Sequence, residues 1–190
     1  MIPQFLDSSF KTVDIVDVFN SFLWVDRYCG FGNFELKTKP TSKLFSDISQ
    51  SVYFKLEESE HLMFIETATI HTDIENGNEL VIKGRSLESM LDRRIVWTPT
   101  TMQGNLQRKI EELLIYNVIS ATPVGRQIPN FIFDESSDPF FTNLEIATQF
   151  FGEYIYKVIT DICASKQIGY KIILNPSNQF VFSLYVGYRS

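Results

Sequence analysis

The sequence predicts a mixed β and α+β fold. A strand-rich domain over residues 1–95, built as a β-barrel or split sheet, precedes a smaller α+β module over residues 96–190. Three observations carry this. Seventeen Phe and eight Tyr, set among many Val and Ile, favour strands over helices. Hydrophobic residues make up 44% and charged residues 21%, a balance that fills a core and excludes a disordered chain. The pattern also shifts near residue 95. Before it nearly every apolar segment reads as strand; after it the order is helix, strand, helix, strand, strand.

In the first half, Lys11 to Tyr28 reads as two strands with a joint near Asn20-Ser21. Phe22 to Lys37 reads as a hairpin whose turn, "CGFGN", uses Gly30 and Gly32 for positive φ. A polar stretch surrounds Thr41-Ser42, followed by "SVYFKL" and by the clearest strand of the chain after His61. Asn76-Gly77 is a two-residue hairpin signal. Taken literally, it sets Ile70 opposite Lys83 and Thr72 opposite Val81, with neither face cleanly apolar. That pattern suits a sheet edge or a barrel wall. "SLESMLDRR" then reads as a two-turn helix with Ser86 as N-cap, Leu87, Met90 and Leu91 on one face, and Arg93 and Arg94 in the last turn. It is expected to dock on the strand-rich domain and to act as the joint between the two parts.

In the second half, Leu106, Ile110, Leu113, Leu114 and Val118 make one helical stripe, with Arg108 and Glu112 placed to pair. "SATPVGRQIPNFIFDESSDPF", broken by three prolines and a glycine, reads as an excursion with an extended piece at Phe131–Phe133. "TNLEIATQF" alternates as a strand. Ile155, Val158, Ile159 and Ile162 mark a helix stopped by Gly169, and two strands flank the Asn-Pro-Ser-Asn turn at the end.

The chemistry-bearing residues are few. His61 and His71 lack a partner at ligand spacing, and there is no HExxH, CxxC, P-loop or GxSxG. Cys29 and Cys163, far apart in the chain, read as small buried residues; Cys163 sits on the apolar face of its helix. Phe131, Phe133, Phe180 and Phe182 read as cross-strand packing. No catalytic, cofactor-binding or metal-ligating residue is expected. The net charge of −6 argues against a general nucleic-acid binder. Neither an 18-residue apolar span nor a signal peptide is visible, so synthesis in a cytoplasm is expected.

Five blocks, in order, carry a resemblance: "LWVDRYCGFGNFEL", "GNELVIKGRSLESMLDRRIVW", "GNLQRKIEELL", "RQIPNFIF" and "GYKIILNPSNQFVFSLYVGYRS". Together they resemble a siphophage tail-hub family, similar to the baseplate hub of contractile-tailed phages and to the N-terminal structural part of tail-associated lysins. The resemblance implies a tail-tube-like split β-barrel, discontinuous in a longer parent chain, with an inserted α+β module. It implies a homotrimer around the tail axis at the virion tail tip, made in the host cytoplasm. Partners would be a distal tail protein and a tail fibre or lysin-bearing tip component, with phage DNA passing through the channel without specific binding. Members run longer than 190 residues, which implies a further C-terminal part. No enzymatic activity is implied for this region. Two other classes stay open on the sequence: a cell-wall-degrading tail enzyme and a carbohydrate-binding module, the latter suggested by the aromatic content.

Overall fold

The computed structural model describes residues 2–73 and 77–187. The chain divides into two compact units, residues 1–27 with 31–87, and residues 28–30 with 88–190.

Among the described residues, the first unit contains β1 (Pro3–Leu6), β2 (Thr12–Ile15), β3 (Ser21–Val25), β4 (Asn33–Thr38), α1 (Ser42–Gln50), β5 (Tyr53–Leu56), β6 (Leu62–Asp73) and β7 (Gly77–Ser86). The strands form one antiparallel sheet in the order β2-β1-β5-β6-β7-β4-β3. Its two edge strands, β2 and β3, are consecutive in the chain. From Ile15 to Ser21 the backbone reaches at most about 21 Å. A flat sheet of seven strands would hold its edges about 29 Å apart. The sheet therefore has to curl, and its rings show that it does. Phe22 on β3 and Phe54 on β5 are four strands apart, yet their ring centroids lie 5.9 Å from each other. Phe34 on β4 stacks on Phe54 at 4.3 Å. Phe5, Leu36, Met63, Leu80 and Ile82 complete the buried cluster, with Val16 closing over it from the β2–β3 connection. Strand alternation selects these residues: on β4, Phe34, Leu36 and Thr38 point inward, while Glu35 on the outer face meets Lys83 at 2.7 Å. Among the described residues β2 and β3 do not pair, so the architecture is a curled, open antiparallel sheet rather than a closed barrel.

The β6–β7 register differs from the one read off the Asn76-Gly77 turn. Ile70 pairs with Leu80, Thr72 with Asn78, and Asp73 with Gly77. Gly77 does take a positive φ of 78°; Asn76 lies outside the described residues. The observed register sets the exposed Ala68 and Ile70 across from the fully buried Ile82 and Leu80, and an irregularity between Ile65 and Thr67 interrupts the pairing. In the strand order β6 and β7 are interior, but β5 pairs with β6 only over Leu62–Phe64, so the far part of β6 lies beyond that partner. The polar stretch at Thr41-Ser42 is the start of a helix. The Thr41 hydroxyl accepts the Leu44 N–H at 3.2 Å, Leu44 and Ile48 pack against the core, and Lys43 ties α1 to Asp14 of β2 at 2.6 Å.

Leu87–Arg93 is a 3-10 helix. Leu87, Met90 and Leu91 are buried as their spacing predicts. The Ser86 hydroxyl accepts the Gly32 N–H at 2.7 Å. Within the second unit the helix is tied down by Glu88, whose buried carboxylate accepts the Ile172 N–H at 2.7 Å.

The second unit contains β8 (Thr100–Asn105), α2 (Leu106–Leu114) running on into a π-helical turn over Ile115–Ile119, β9 (Phe131–Asp134), α3 (Pro139–Thr142), β10 (Glu145–Phe150), α4 (Ile155–Lys166), β11 (Gly169–Leu174) and β12 (Phe180–Tyr185). β8 pairs with β10, and β11-β12-β9 form a second sheet in which β12 and β9 run parallel. The predicted stripes of α2 and α4 are buried. β8 is a strand the sequence reading missed. Glu112 pairs with Lys109 at 2.7 Å in place of Arg108. α4 ends on Gln167 in the left-handed region, not on Gly169, which begins β11 where a Cβ would strike the Tyr185 ring. The "CGFGN" turn also differs from a plain hairpin turn. Gly30 has φ +127°, but Gly32 is glycine because a Cβ there would collide with the Val25 carbonyl. Residues 28–30 belong to the second unit: the Tyr28 hydroxyl donates to the Gln167 carbonyl at 3.0 Å and accepts the Gly187 N–H at 2.7 Å.

Candidate functional site

The chemistry-bearing residues fall into separate places. His61 and His71 belong to the first unit and Cys163 to the second. Among the described residues no group of three His, Cys, Asp or Glu is arranged to hold a metal ion. The sequence reading had both cysteines as buried packing residues. Cys163 is fully buried, but Cys29 is only half-buried, and both lie in the second unit as free thiols. Cys29 donates to the Thr160 carbonyl at 3.3 Å. The neighbouring Cys163 thiol bonds to Cys29 and holds its pKa below the ordinary value; the same contact and burial push Cys163 well up. Phe133, Phe182 and Tyr170 stack in the β11-β12-β9 sheet with centroids 5.8 and 5.6 Å apart, which is core packing.

The three arginines of the joint have separate roles. Arg85 makes a bidentate pair with Glu66, at 2.8 and 2.7 Å, and lies over the Phe31 ring at 4.9 Å. Arg94 Nε donates to the Arg126 carbonyl at 2.7 Å, and Arg126 donates back to the Ile95 carbonyl at 2.9 Å. Burial, with Arg126 and Arg93 close by, lowers the Arg94 pKa from its usual value. Arg93 is exposed at the end of its helix.

The arrangement best formed for binding is a cleft of about 480 Å³ in the second unit. Val96 N–H donates to the Glu153 carbonyl and the Gly152 N–H donates to the Val96 carbonyl, both within 3.0 Å, so this stretch is extended. Alternation then buries Val96 and turns Trp97 outward, 65% exposed. Across the cleft stands Tyr116, 74% exposed. It lies in the π-helical turn, which carries Ile115 and Tyr116 out of the buried stripe of α2. Buried Met102 of β8 and Leu113 of α2 form the floor. Thr101 is an exposed wall residue, and Asn117 spends its amide N–H on the Leu113 carbonyl at 2.9 Å, leaving its oxygen facing outward from that bond. Lys109 is neutralised by Glu112 at 2.7 Å. The sequence reading did not single out Trp97 or Tyr116. Trp97 ended a stretch read for its arginines, and the π-helical turn has no sequence mark that periodicity detects.

Comparison with known proteins gives a family and distant fold matches. No curated protein matches the chain. One solved structure is an E. coli protein, c3393, described as a component of the type VI secretion system with structural similarity to the T4 bacteriophage tail proteins gp27 and gp5. It is 10% identical, with a TM-score of 0.47, over 85% of this chain and 45% of that one. The chain thus spans less than half the length of that protein. The family model for Siphovirus ReqiPepy6 Gp37-like proteins matches residues 2–190. On that match the chain belongs to the Siphovirus ReqiPepy6 Gp37-like family, structural proteins of the siphophage type whose place is the tail of the virion.

Proposed function

We propose that this chain is a baseplate-hub subunit at the tail tip, which assembles as a ring around the tail channel. In this role it connects the distal tail protein, on the tail-tube side, to a fibre or lysin-bearing component on the host side. The observation that carries the reading is the free edge of β6. β5 pairs with β6 only over Leu62–Phe64, with one more bond from the Ile65 N–H to the Val52 carbonyl. From Thr67 to Thr72 the strand is exposed and, among the described residues, pairs with β7 alone. A long unpaired edge invites another strand, and monomers normally protect such edges. A ring of like subunits satisfies each edge with a neighbour. Ile15, Val18 and Leu23, each at least half exposed, add apolar surface near the two edges of the curled sheet.

The curled sheet is the tail-tube-like split barrel of this proposal, opened at β2 and β3. A homotrimer is the proposed state. The net charge of −6 suits a channel wall that DNA passes without being held, since like charges repel at short range. No catalytic, cofactor or metal residue is assigned, and the chain is proposed to turn over nothing.

The test is light scattering on the full-length protein, with Ile70→Lys as the edge variant. Ile70 is 48% exposed, so the substitution leaves the melting temperature nearly unchanged while it weakens assembly. A strict monomer at high concentration that also fails to bind its neighbouring tail protein would sink the proposal.

A further inference from the structure

We infer that the Trp97–Tyr116 cleft of the second unit is a binding site for a neutral pyranose ring of an oligosaccharide. A pyranose has one face of C–H groups and a rim of hydroxyls. The cleft offers the complement of both. Trp97 and Tyr116 present exposed aromatic rings, and neither makes a ring contact or side-chain hydrogen bond among the described residues. Thr101 and Asn117 line the same cleft, and a hydroxyl and an amide oxygen can donate to or accept from sugar hydroxyls. The volume, about 480 Å³, lies within the range of small-molecule sites.

The backbone that carries each aromatic is fixed. The residue before Trp97, Val96, is buried and bonded on both sides to residues 152–153. Tyr116 is held between the buried Leu113 and Val118 of its helix. A fixed backbone and only two side-chain torsions leave each ring little freedom to lose on binding.

Other occupants fit less well. A nucleic acid needs a basic groove. Here Lys109 is neutralised by Glu112, Arg126 is the remaining cation of the lining, and the chain carries −6 overall. A protein partner is expected to meet a continuous apolar core, whereas most of the residues lining this cleft are polar. The inference does not depend on the ring assembly proposed above, and each fails by a different measurement.

The experiment is saturation-transfer NMR on the full chain with four neutral trisaccharides, of N-acetylglucosamine, glucose, galactose and rhamnose. Each is used at about 10 mM, which saturates a millimolar site. Wild type, Trp97→Ala, Tyr116→Ala and Thr101→Val are compared. All three residues are exposed, so folding survives the changes. The expected result is transfer to at least one trisaccharide, weakened about tenfold or more by Trp97→Ala and by Tyr116→Ala, and severalfold by Thr101→Val. Three results would overturn the inference. One is no transfer to any of the four. Another is transfer that survives both aromatic substitutions. The third is self-association of the chain that Trp97→Ala abolishes, which would assign the cleft to a second copy.

Discussion

Replacing Phe22 and Phe54 by leucine, singly and together, reads out the curl of the first unit's sheet. The two rings sit on strands β3 and β5, with three strands between them in the hydrogen-bonded order. In a flat sheet those strands would lie about 19 Å apart, too far for the rings to interact. In the structure the centroids are 5.9 Å apart, and Trp24 lies 6.3 Å from Phe22 and 6.4 Å from Phe54. Leucine keeps most of the apolar volume, so each single change costs up to about 1.5 kcal/mol. An aromatic pair at this distance contributes about 0.5–1.5 kcal/mol beyond area burial. The double variant is therefore expected to depart from additivity by that amount. Urea denaturation followed by tryptophan emission measures it. A Trp97→Phe background makes Trp24 the only tryptophan, so the signal reports on the first unit. Additivity within about 0.3 kcal/mol would refute the curled sheet.

Leu91→Asp, at a fully buried position, is expected to abolish cooperative thermal melting of the second unit, whereas Arg94→Ala costs at most about 1.5 kcal/mol and keeps the fold. An unchanged melt for Leu91→Asp would contradict the docked 3-10 helix. Glu88→Ala leaves the buried Ile172 N–H without its acceptor and is expected to lower stability by about 1.5–3 kcal/mol in denaturant titrations, while Glu88→Gln, which keeps an oxygen there, costs less. Asp14 has its pKa lowered by Lys43, so its ion pair stabilises fully above the unfolded value of 3.8 and is lost as pH falls through the lower folded value. Asp14→Asn should therefore reduce stability at pH 7 and leave it unchanged near pH 2; an equal effect at both would refute the assignment. Cys29 is expected to react with iodoacetamide before Cys163 and at lower pH than a free thiol, and Cys163→Ala should slow it.

The parts of the fold legible in the sequence are those where local and tertiary preference agree. The stripes of α2 and α4, the β3–β4 hairpin and the final pair of strands each repeat their apolar residues at one clear period. The register of β6 and β7 was not legible in the turn. It includes an irregularity between Ile65 and Thr67 and goes with the pairing of β7 to β4 and of β6 to β5, none of which the turn reports. α1 was hidden by its serines and by Asp47, although Thr41 followed by Leu44 and Ile48 is a cap with an i, i+4 pair. β8 has one buried apolar residue, Met102, and so shows no alternation. The contact between Cys29 and Cys163 joins residues remote in sequence and leaves no local trace. The cleft was illegible for the same reason: Trp97, Thr101 and Tyr116 come from a loop, a strand and a π-helical turn.

Cryo-electron microscopy of the intact virion tail tests the central proposal most directly. The account predicts this chain in a ring at the tail tip, in three copies, with the free β6 edge over residues 67–72 at the contact between neighbouring subunits. Finding the chain away from the tip, or in a ring whose subunits leave that edge open to solvent, would contradict it.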